Sequence, residues 1–212
     1  MRNLLQNTTL LAQAMWEQYL TPQLAEGTCA AVDATCGRGK DTLWLAARCG
    51  RVYAFDIQQE AIESTREALQ AAGFCPVHAD CGTAEQLTAD GDARKTQVRL
   101  IRDSHTEISQ YVREPIGLIV FNLGYLPGGD KEIATQAKNT QTALQYAAEA
   151  LTAGGLLSVT MYWGHEAGKK ERETVLAWAS KLDKSIWHCV HTDMLNQPNC
   201  PPEILFVTRK KG

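Results

Sequence analysis

The sequence predicts an α/β fold in which helices cover both faces of a doubly wound, mostly parallel sheet. Apolar runs of strand character alternate with helical segments along the 212 residues, which is the pattern of βαβ units. The first run leads into a glycine-containing loop and a helix, as at the first turn of such a sheet. The last two runs have no helix between them, so we expect an antiparallel pair at the end of a seven-stranded sheet.

Each strand is assigned from an apolar, often β-branched run bounded by turn residues. The assigned strands are CAAVDAT (29–35), RVYAFDI (51–57), VRLIRD (98–103), IGLIVFN (116–122), LLSVTMYW (156–163), SIWHCVH (185–191) and EILFVTRK (203–210). Within 74–97, PVHAD (76–80) competes for the place of the third strand. The alternation in VRLIRD is cleaner, so we interpret 74–97 as an extended connection.

The helices are assigned from apolar residues at helical spacing and from glycines that end them. Residues 1–24 predict an amphipathic N-terminal helical segment. The other predicted helices are KDTLWLAARCG (40–50), QQEAIESTREALQAAG (58–73), TEISQYV (106–112), ATQAKNTQTALQYAAEALTAGG (134–155) and KKERETVLAWASKL (169–182).

Composition limits the class of protein. The net charge is −3, which argues against a general nucleic-acid coat but permits a local basic patch. We expect one domain over 1–212, without a membrane span or a signal peptide. Seven cysteines without a C-x-x-C pair favour a reduced, cytoplasmic setting and no metal. A zinc site at Cys75, His78 and Cys81 would lack the paired second set of ligands that such sites use.

The strongest local motif is VDATCGRGKDT, residues 32–42. Asp33 ends the first strand, Gly37 and Gly39 allow the backbone to turn tightly, and a helix follows. A second acid, Asp56, ends the next strand, where it can accept both hydroxyls of a ribose. This arrangement predicts a nucleotide-like cofactor.

The acids in this motif indicate which cofactor. A dinucleotide fingerprint requires a third glycine where this chain has Thr42, and Asp41 would repel a pyrophosphate. Asp33 and Asp41 suit a ligand with a positive centre. S-adenosylmethionine carries a sulfonium, an ammonium group and a ribose, so the motif favours it over NAD. A loop without a ligand is the remaining alternative.

The segment FNLGYLPGGDK, 121–131, places a bare amide at the tip of a buried strand. Asn122 would lie beside the first loop, where an amide can accept the N–H bonds of an amine and align it for methyl transfer. The following residues would form the pocket wall, with Tyr125 available for stacking on a base. An Asn that caps a rigid turn is the alternative. The expected wall residues are Leu123, Gly124, Tyr125, Pro127 and Gly128.

Two further strand ends carry polar residues that would lie on the same rim. Ser104 and His105 follow the third strand, near the expected position of an adenine. Tyr162 and His165 follow the fifth strand, where His165 could take a proton or contact the substrate. A histidine at such a rim is also commonly structural.

Together these motifs resemble a bacterial family of S-adenosylmethionine-dependent methyltransferases that has been labelled rRNA methylase. The late segment LNQPNCPPEILFV adds to the match, which spans about 25–208 and is weakest over 74–97. The sequence looks like the tRNA 5-(aminomethyl)-2-thiouridine methyltransferases. That resemblance implies a Rossmann-like class I methyltransferase fold and methyl transfer to the amine of a wobble uridine in a tRNA anticodon stem-loop.

The resemblance also implies site residues. It suggests cofactor contacts at Arg38, Asp41, Asp56, Gln58, Ser104 and His105. With the neighbouring loop and strand-end residues, the expected cofactor-binding set is Asp33, Thr35, Gly37, Arg38, Gly39, Asp41, Thr42, Asp56, Ile57, Gln58, Ser104, His105 and Asn122. The family usually has Asn in place of Arg38 and often His in place of Lys40, so a side-chain contact at Arg38 is a departure.

A homodimer is compatible with the sequence. An rRNA base or a small-molecule amine as substrate, and an NAD-binding oxidoreductase, are the alternative functions.

Overall fold

One eight-stranded sheet organises the protein in the computed structural model, which describes residues 4–24, 29–79, 96–124 and 137–211, with only the backbone for 21–24. The strand order is β3-β4-β2-β1-β5-β6-β8-β7. All neighbours from β3 to β6 are parallel, and β8 is antiparallel to both β6 and β7. The strands are β1 Ala30–Asp33, β2 Arg51–Phe55, β3 Val77–His78, β4 Gln97–Ile101, β5 Ile116–Leu123, β6 Leu151–Met161, β7 Trp187–Thr192 and β8 Glu203–Arg209.

Helices lie on both faces of this sheet, so the doubly wound α/β prediction is confirmed. Two single-turn 3-10 helices, Leu4–Gln6 and His105–Glu107, accompany them. The α-helices are α1 Thr8–Leu24, α2 Lys40–Ala46, α3 Gln59–Ala71, α4 Ile108–Tyr111, α5 Ala137–Ala150 and α6 Glu166–Ala179.

Two hydrophobic cores hold the layers together, one on each face of the sheet. Helices α1, α2 and α3 pack on one face, and α4, α5 and α6 pack on the other. Strand β1 shows the alternation that this requires, since Val32 faces the second core and Ala31 the first. In α1 the buried residues recur every fourth position, at Ala12, Trp16 and Leu20. Helix α1 therefore packs on this face of the sheet through one side.

The strand count differs from the predicted seven. Val77 and His78 pair with Arg99 and Leu100 and so add a two-residue edge strand beyond β4. Both residues of β3 are exposed, so the segment carries no apolar signal by which sequence could separate a strand from a connection. The two candidates for the third strand, PVHAD and VRLIRD, thus both contribute.

The boundary between α5 and β6 also differs from prediction. The helix ends at Ala150, and β6 begins at once with Leu151, which pairs with Ile116 of β5. The glycine pair lies inside the strand: Gly154 has φ of +79°, and the register shifts between Ile116 and Leu118 of the partner. These glycines therefore accommodate a strand irregularity instead of ending a helix.

The strand order places a crevice between β1 and β5. From β1 the chain builds the sheet outward through β2 and β4, then crosses back to β5 on the other side of β1. Ligands of such sheets bind at this reversal, beyond the carboxyl ends of the strands. No helix among the described residues is long and apolar enough to cross a bilayer.

Candidate active site at the carboxyl ends of the central strands

The predicted site residues of the first loop and of β5 come together at the crevice. Asp33 is the last residue of β1 and lies in register with Val120 of β5. The backbone N–H of Asn122 donates to Thr35 Oγ1 over 2.7 Å, and Ala34 N–H donates to the Val120 carbonyl over 2.9 Å. The loop after β1 is thus fixed to the tip of β5, as the sequence predicts.

The glycine loop joins β1 to α2 and is shaped by contacts with β2 and α3. Gly37 has φ of +53° and Gly39 has φ of +76°, values that L residues rarely adopt. The Gly37 N–H donates to Asp56 Oδ2 over 3.0 Å, and its carbonyl accepts from Thr65 Oγ1 over 3.2 Å. The loop therefore runs directly against the acid that follows β2.

Replacing Gly39 by alanine should destabilise the protein, and the same replacement at Gly73 is the matched control. A Cβ at Gly39 would lie 2.9 Å from Thr65 Cα, whereas a Cβ at Gly73, with φ of +86°, would meet nothing within 4 Å. Gly73→Ala should cost the left-handed backbone penalty alone, about 1–2 kcal/mol. Gly39→Ala should cost a further 1–3 kcal/mol or so for the overlap. Urea denaturation of both variants measures the difference, and equal losses would contradict the close packing of the loop on α3.

Three carboxyl groups surround the loop, and the pKa of each is raised. Burial is the main cause at Asp33, Asp41 and Asp56, and at Asp33 the repulsion from Asp41 comes next. The pKa of Asp33 rises to about 7, although Thr42 Oγ1 donates to it over 2.6 Å. Three crowded acids of raised pKa favour a cationic ligand, because its charge would stabilise their ionised forms.

Asp56 is held in place by backbone donors on both sides. Gly37 N–H donates to Oδ2, and Gln58 N–H donates to Oδ1 over 3.0 Å. The same hydrogen bonds lower its pKa against the larger effect of burial. Ile57, which follows Asp56, is 56% exposed and could cover a ligand. Arg38 is exposed too.

Asn122 reaches back to α2. Its side-chain Nδ2 donates to Asp41 Oδ2 over 2.9 Å, and the other oxygen of Asp41 accepts from Gln13 Nε2 over 3.3 Å. Sequence reasoning missed Gln13, because 28 positions separate it from Asp41 and α1 carries no functional motif. The amide predicted at the tip of the strand therefore belongs to a hydrogen-bonded group.

The polar residues after β4 lie on the same edge of the sheet. Ser104 caps the 3-10 helix, and its Oγ accepts from the Thr106 N–H over 3.2 Å. The His105 ring packs edge-on against Phe121, with centroids 5.8 Å apart. Its buried Nε2 has no hydrogen-bond partner among the described residues, and burial lowers the pKa of His105 to about 4. A neutral imidazole with an unsatisfied nitrogen is suited to hydrogen-bond a ligand.

The residues after β6 complete the rim. Tyr162 N–H donates to the Leu123 carbonyl over 2.9 Å, and Tyr162 is 43% exposed. Burial raises the pKa of Tyr162, the repulsion from Asp41 adds to this effect, and the Thr9 side chain opposes it. His165 caps α6, and its ring packs near Gly168 of the same helix.

Some predicted residues lie away from an open surface or outside the described chain. Asp33 and Thr42 are fully buried beneath the loop, and Leu123 is buried in the core. These three buried side chains therefore lie beneath the loop and the strand tip and do not face an open surface. Gly124, one of the predicted wall residues, has φ of +154° and faces Tyr162. Tyr125, Pro127 and Gly128 lie outside the described residues, as does Cys81 of the considered zinc site.

A second concavity lies at the opposite edge of the sheet. This groove of about 860 Å³ is lined by residues that precede β5 and begin β6, such as Pro115 and Leu151, and by Arg209 at the end of β8. It contains none of the predicted site residues. The described residues hold no cluster of three or more metal-ligating side chains.

Known proteins match this chain over most of its length. A family model described as "Putative rRNA methylase" matches residues 52–208. The "tRNA (mnm(5)s(2)U34)-methyltransferase, chloroplastic" of Arabidopsis thaliana is 36% identical over 212 residues, covering 95% of this chain and 69% of the relative.

Two solved structures are similar throughout. A "putative rRNA-methylase" from Clostridium thermocellum is 33% identical, with a TM-score of 0.74 over 90% of this chain and 97% of its own. A "putative methyltransferase" from Streptococcus mutans in complex with SAH is 35% identical, with a TM-score of 0.71 over 86% of this chain and 89% of its own. The similarity therefore covers the sheet and the site together.

Proposed function

The chain belongs to the "Putative rRNA methylase" family, and from that premise we propose that it methylates the amino group of 5-aminomethyl-(2-thio)uridine at the wobble position of tRNA. The observation that carries the proposal is the position of Asn122 at the tip of β5, tied to the cofactor loop through Thr35. An amide there can orient an amine toward a methyl group bound over the loop.

S-adenosylmethionine is the methyl donor, and the prediction of a methyltransferase that depends on it is confirmed by the family and by the similar structure solved with SAH. The residues present fit this cofactor. We propose that Asp56, held by the Gly37 N–H, binds the ribose, that the acidic surroundings of the loop suit the positive charge of the cofactor, and that His105 Nε2 hydrogen-bonds its base. When bound, the cofactor supplies an electrophilic methyl carbon.

The chain's own part in the reaction is to position an amine and keep it neutral. Asn122 Oδ1 accepts one amine N–H, which aims the nitrogen lone pair at the methyl carbon. Burial beneath the rim disfavours the charged ammonium and so lowers the pKa of the amine. No dedicated base is then required. The sequence predicts that His165 takes a proton or contacts the substrate. Its ring packs on its own helix, α6. We propose that it contacts the substrate.

The choice of tRNA rests on the relative from Arabidopsis thaliana, whose name specifies a tRNA nucleoside at position 34. We propose that the anticodon stem-loop binds over the rim, with Tyr125 stacking on the uridine. The family description names rRNA instead, so an rRNA base is the second candidate substrate. Cytoplasmic tRNA is the pool we propose for this enzyme, and a homodimer stays a prediction.

Mass spectrometry of nucleosides tests the proposal. The protein is incubated with tRNA that carries 5-aminomethyl-2-thiouridine, with and without S-adenosylmethionine, and with rRNA as a parallel substrate. We expect a cofactor-dependent gain of one methyl group on that nucleoside. A methyl group gained only on rRNA would contradict the tRNA assignment while leaving the methyltransferase intact.

A further inference from the structure

A chain of three polar side chains links the N-terminal helix to the tip of β5. Gln13 of α1 donates to Asp41 Oδ1 over 3.3 Å, and Asn122 of β5 donates to Asp41 Oδ2 over 2.9 Å. Asp41 lies in the first turn of α2. Both oxygens of its carboxylate are therefore engaged by amides, and both amides lower its pKa against the effect of burial.

The hydrogen-bonding chemistry of a carboxylate fixes the orientation of Asn122. An asparagine amide has one end that accepts and one that donates, and a rotation of 180° exchanges them with little change in shape. An ionised carboxylate only accepts. Asn122 must therefore turn its NH2 group toward Asp41 and leave Oδ1 on the other side.

That orientation matters for methylation of an amine. An exposed Oδ1 accepts an amine N–H and leaves the nitrogen lone pair free. An exposed NH2 would donate to the lone pair and block its attack on the methyl carbon. The partner of Asn122 thus decides whether its amide assists or obstructs the reaction.

Helix α1 is anchored so that it can hold this arrangement. Trp16, which is buried, packs edge-on against Trp44 of α2 with centroids 5.4 Å apart. The same helix also packs against β5 and β6.

We propose that Asp41 and Gln13 are positioning residues, which act through Asn122 by fixing its amide with Oδ1 toward the acceptor amine. The inference rests on the proposed role of Asn122 and assigns α1 a part in the active site. It also gives Asp41 a different role from the cofactor contact that the family resemblance implies.

Enzyme kinetics with three variants tests the proposal. Asp41→Asn should lower kcat by about 10- to 100-fold, the range for losing one hydrogen bond to a charged group, and leave SAH affinity within about threefold. Gln13→Ala should lower kcat less. The exchange of both residues, Asp41→Asn with Asn122→Asp, restores one donor facing one acceptor and should recover part of the lost kcat.

A matched control on the same helix separates positioning from helix docking. Glu17→Gln breaks the ion pair with Arg48 and should leave kcat unchanged. If Asp41→Asn instead weakens SAH binding tenfold or more with kcat intact, Asp41 is a cofactor ligand and the proposal is wrong. A loss of kcat in Glu17→Gln equal to that in Gln13→Ala would likewise overturn the role of Gln13.

The NMR signals of the Asn122 side chain test the proposal even if the enzyme acts on a substrate other than the proposed tRNA. The side-chain NH2 signals of Asn122 in a 15N–1H spectrum are identified by their loss in Asn122→Asp. They should move in Asp41→Asn and stay in place in Glu17→Gln. Signals unmoved by Asp41→Asn overturn the inference whichever substrate is right, whereas a failure of tRNA methylation alone overturns only the proposed function.

Discussion

Replacing Asn122 by alanine is expected to lower kcat for methyl transfer by about 100- to 1,000-fold, as for the loss of one positioned group that contacts the reacting centre. Alanine keeps the backbone N–H that donates to Thr35 Oγ1 over 2.7 Å, so the loop should keep its shape. What is lost is the acceptor for the amine N–H and the alignment that it imposes. Affinity for SAH should stay within about twofold, since we propose that the loop and Asp56 make the main contacts to the cofactor.

Single-turnover kinetics at saturating S-adenosylmethionine, together with calorimetric titration of SAH, checks this expectation. Leu195→Ala is a suitable control, because Leu195 is 94% exposed. A kcat for Asn122→Ala within threefold of the unmodified enzyme would show that the amide takes no part in the reaction. A parallel collapse of SAH affinity would place Asn122 in the cofactor site instead.

The second large effect is expected at Asp33, whose carboxyl group is fully buried. Its pKa rises to about 7, because burial penalises the carboxylate and Asp41 and Asp56 repel it. In the unfolded chain the group titrates near its ordinary value of about 3.9. The folded state therefore binds the proton more tightly, and the stabilisation that this gives is complete below about pH 4 and is lost as pH rises to about 7.

The size of this effect follows from the shift. Three pKa units correspond to roughly 4 kcal/mol of unfolding free energy between those limits. Asp33→Asn cannot ionise, so its stability without cofactor should exceed that of the unmodified protein at pH 8 and match it more closely at pH 5. Urea denaturation of both proteins from pH 4 to pH 8.5 measures the difference, and parallel profiles would contradict the raised pKa.

Cofactor binding should show the opposite dependence on pH. A cation beside Asp33 favours the carboxylate, so binding releases a proton and the Kd for S-adenosylmethionine should fall as pH rises through about 7. In Asp33→Asn we expect weaker binding with a flatter dependence. The same carboxyl group would then lower the stability of the free enzyme and raise its affinity for the cofactor.

Much of the site could be predicted because it depends on local pattern and on strand order. Asp33 and Asp56 each follow a recognisable strand, and Asn122 comes at the end of the most apolar run. The carboxyl ends of parallel strands meet at one edge, so these side chains had to lie close together. The antiparallel pairing of β7 with β8 was predictable too, since no helix separates them.

Other features depend on contacts that no local pattern records. Asn122 and Asp41 are 81 positions apart, and Gln13 and Asp41 are 28 apart. Their hydrogen bonds appear only when α1 is docked on α2 and β5. The edge strand Val77–His78 is short and exposed, and Gly154 follows an apparent helix although it lies in a strand. In each of these cases the tertiary environment decides the local structure.

The position of β8 sets an order of events during biosynthesis. The ribosome synthesises β7 before β8. Among the described strands, however, β7 pairs only with β8, and β8 lies between β7 and β6. Until Glu203–Arg209 emerges, the nascent chain presents β7 and one side of β6 as unpaired edges, which are prone to aggregate. The insertion of β8 between β6 and β7 pairs both of these edges at once.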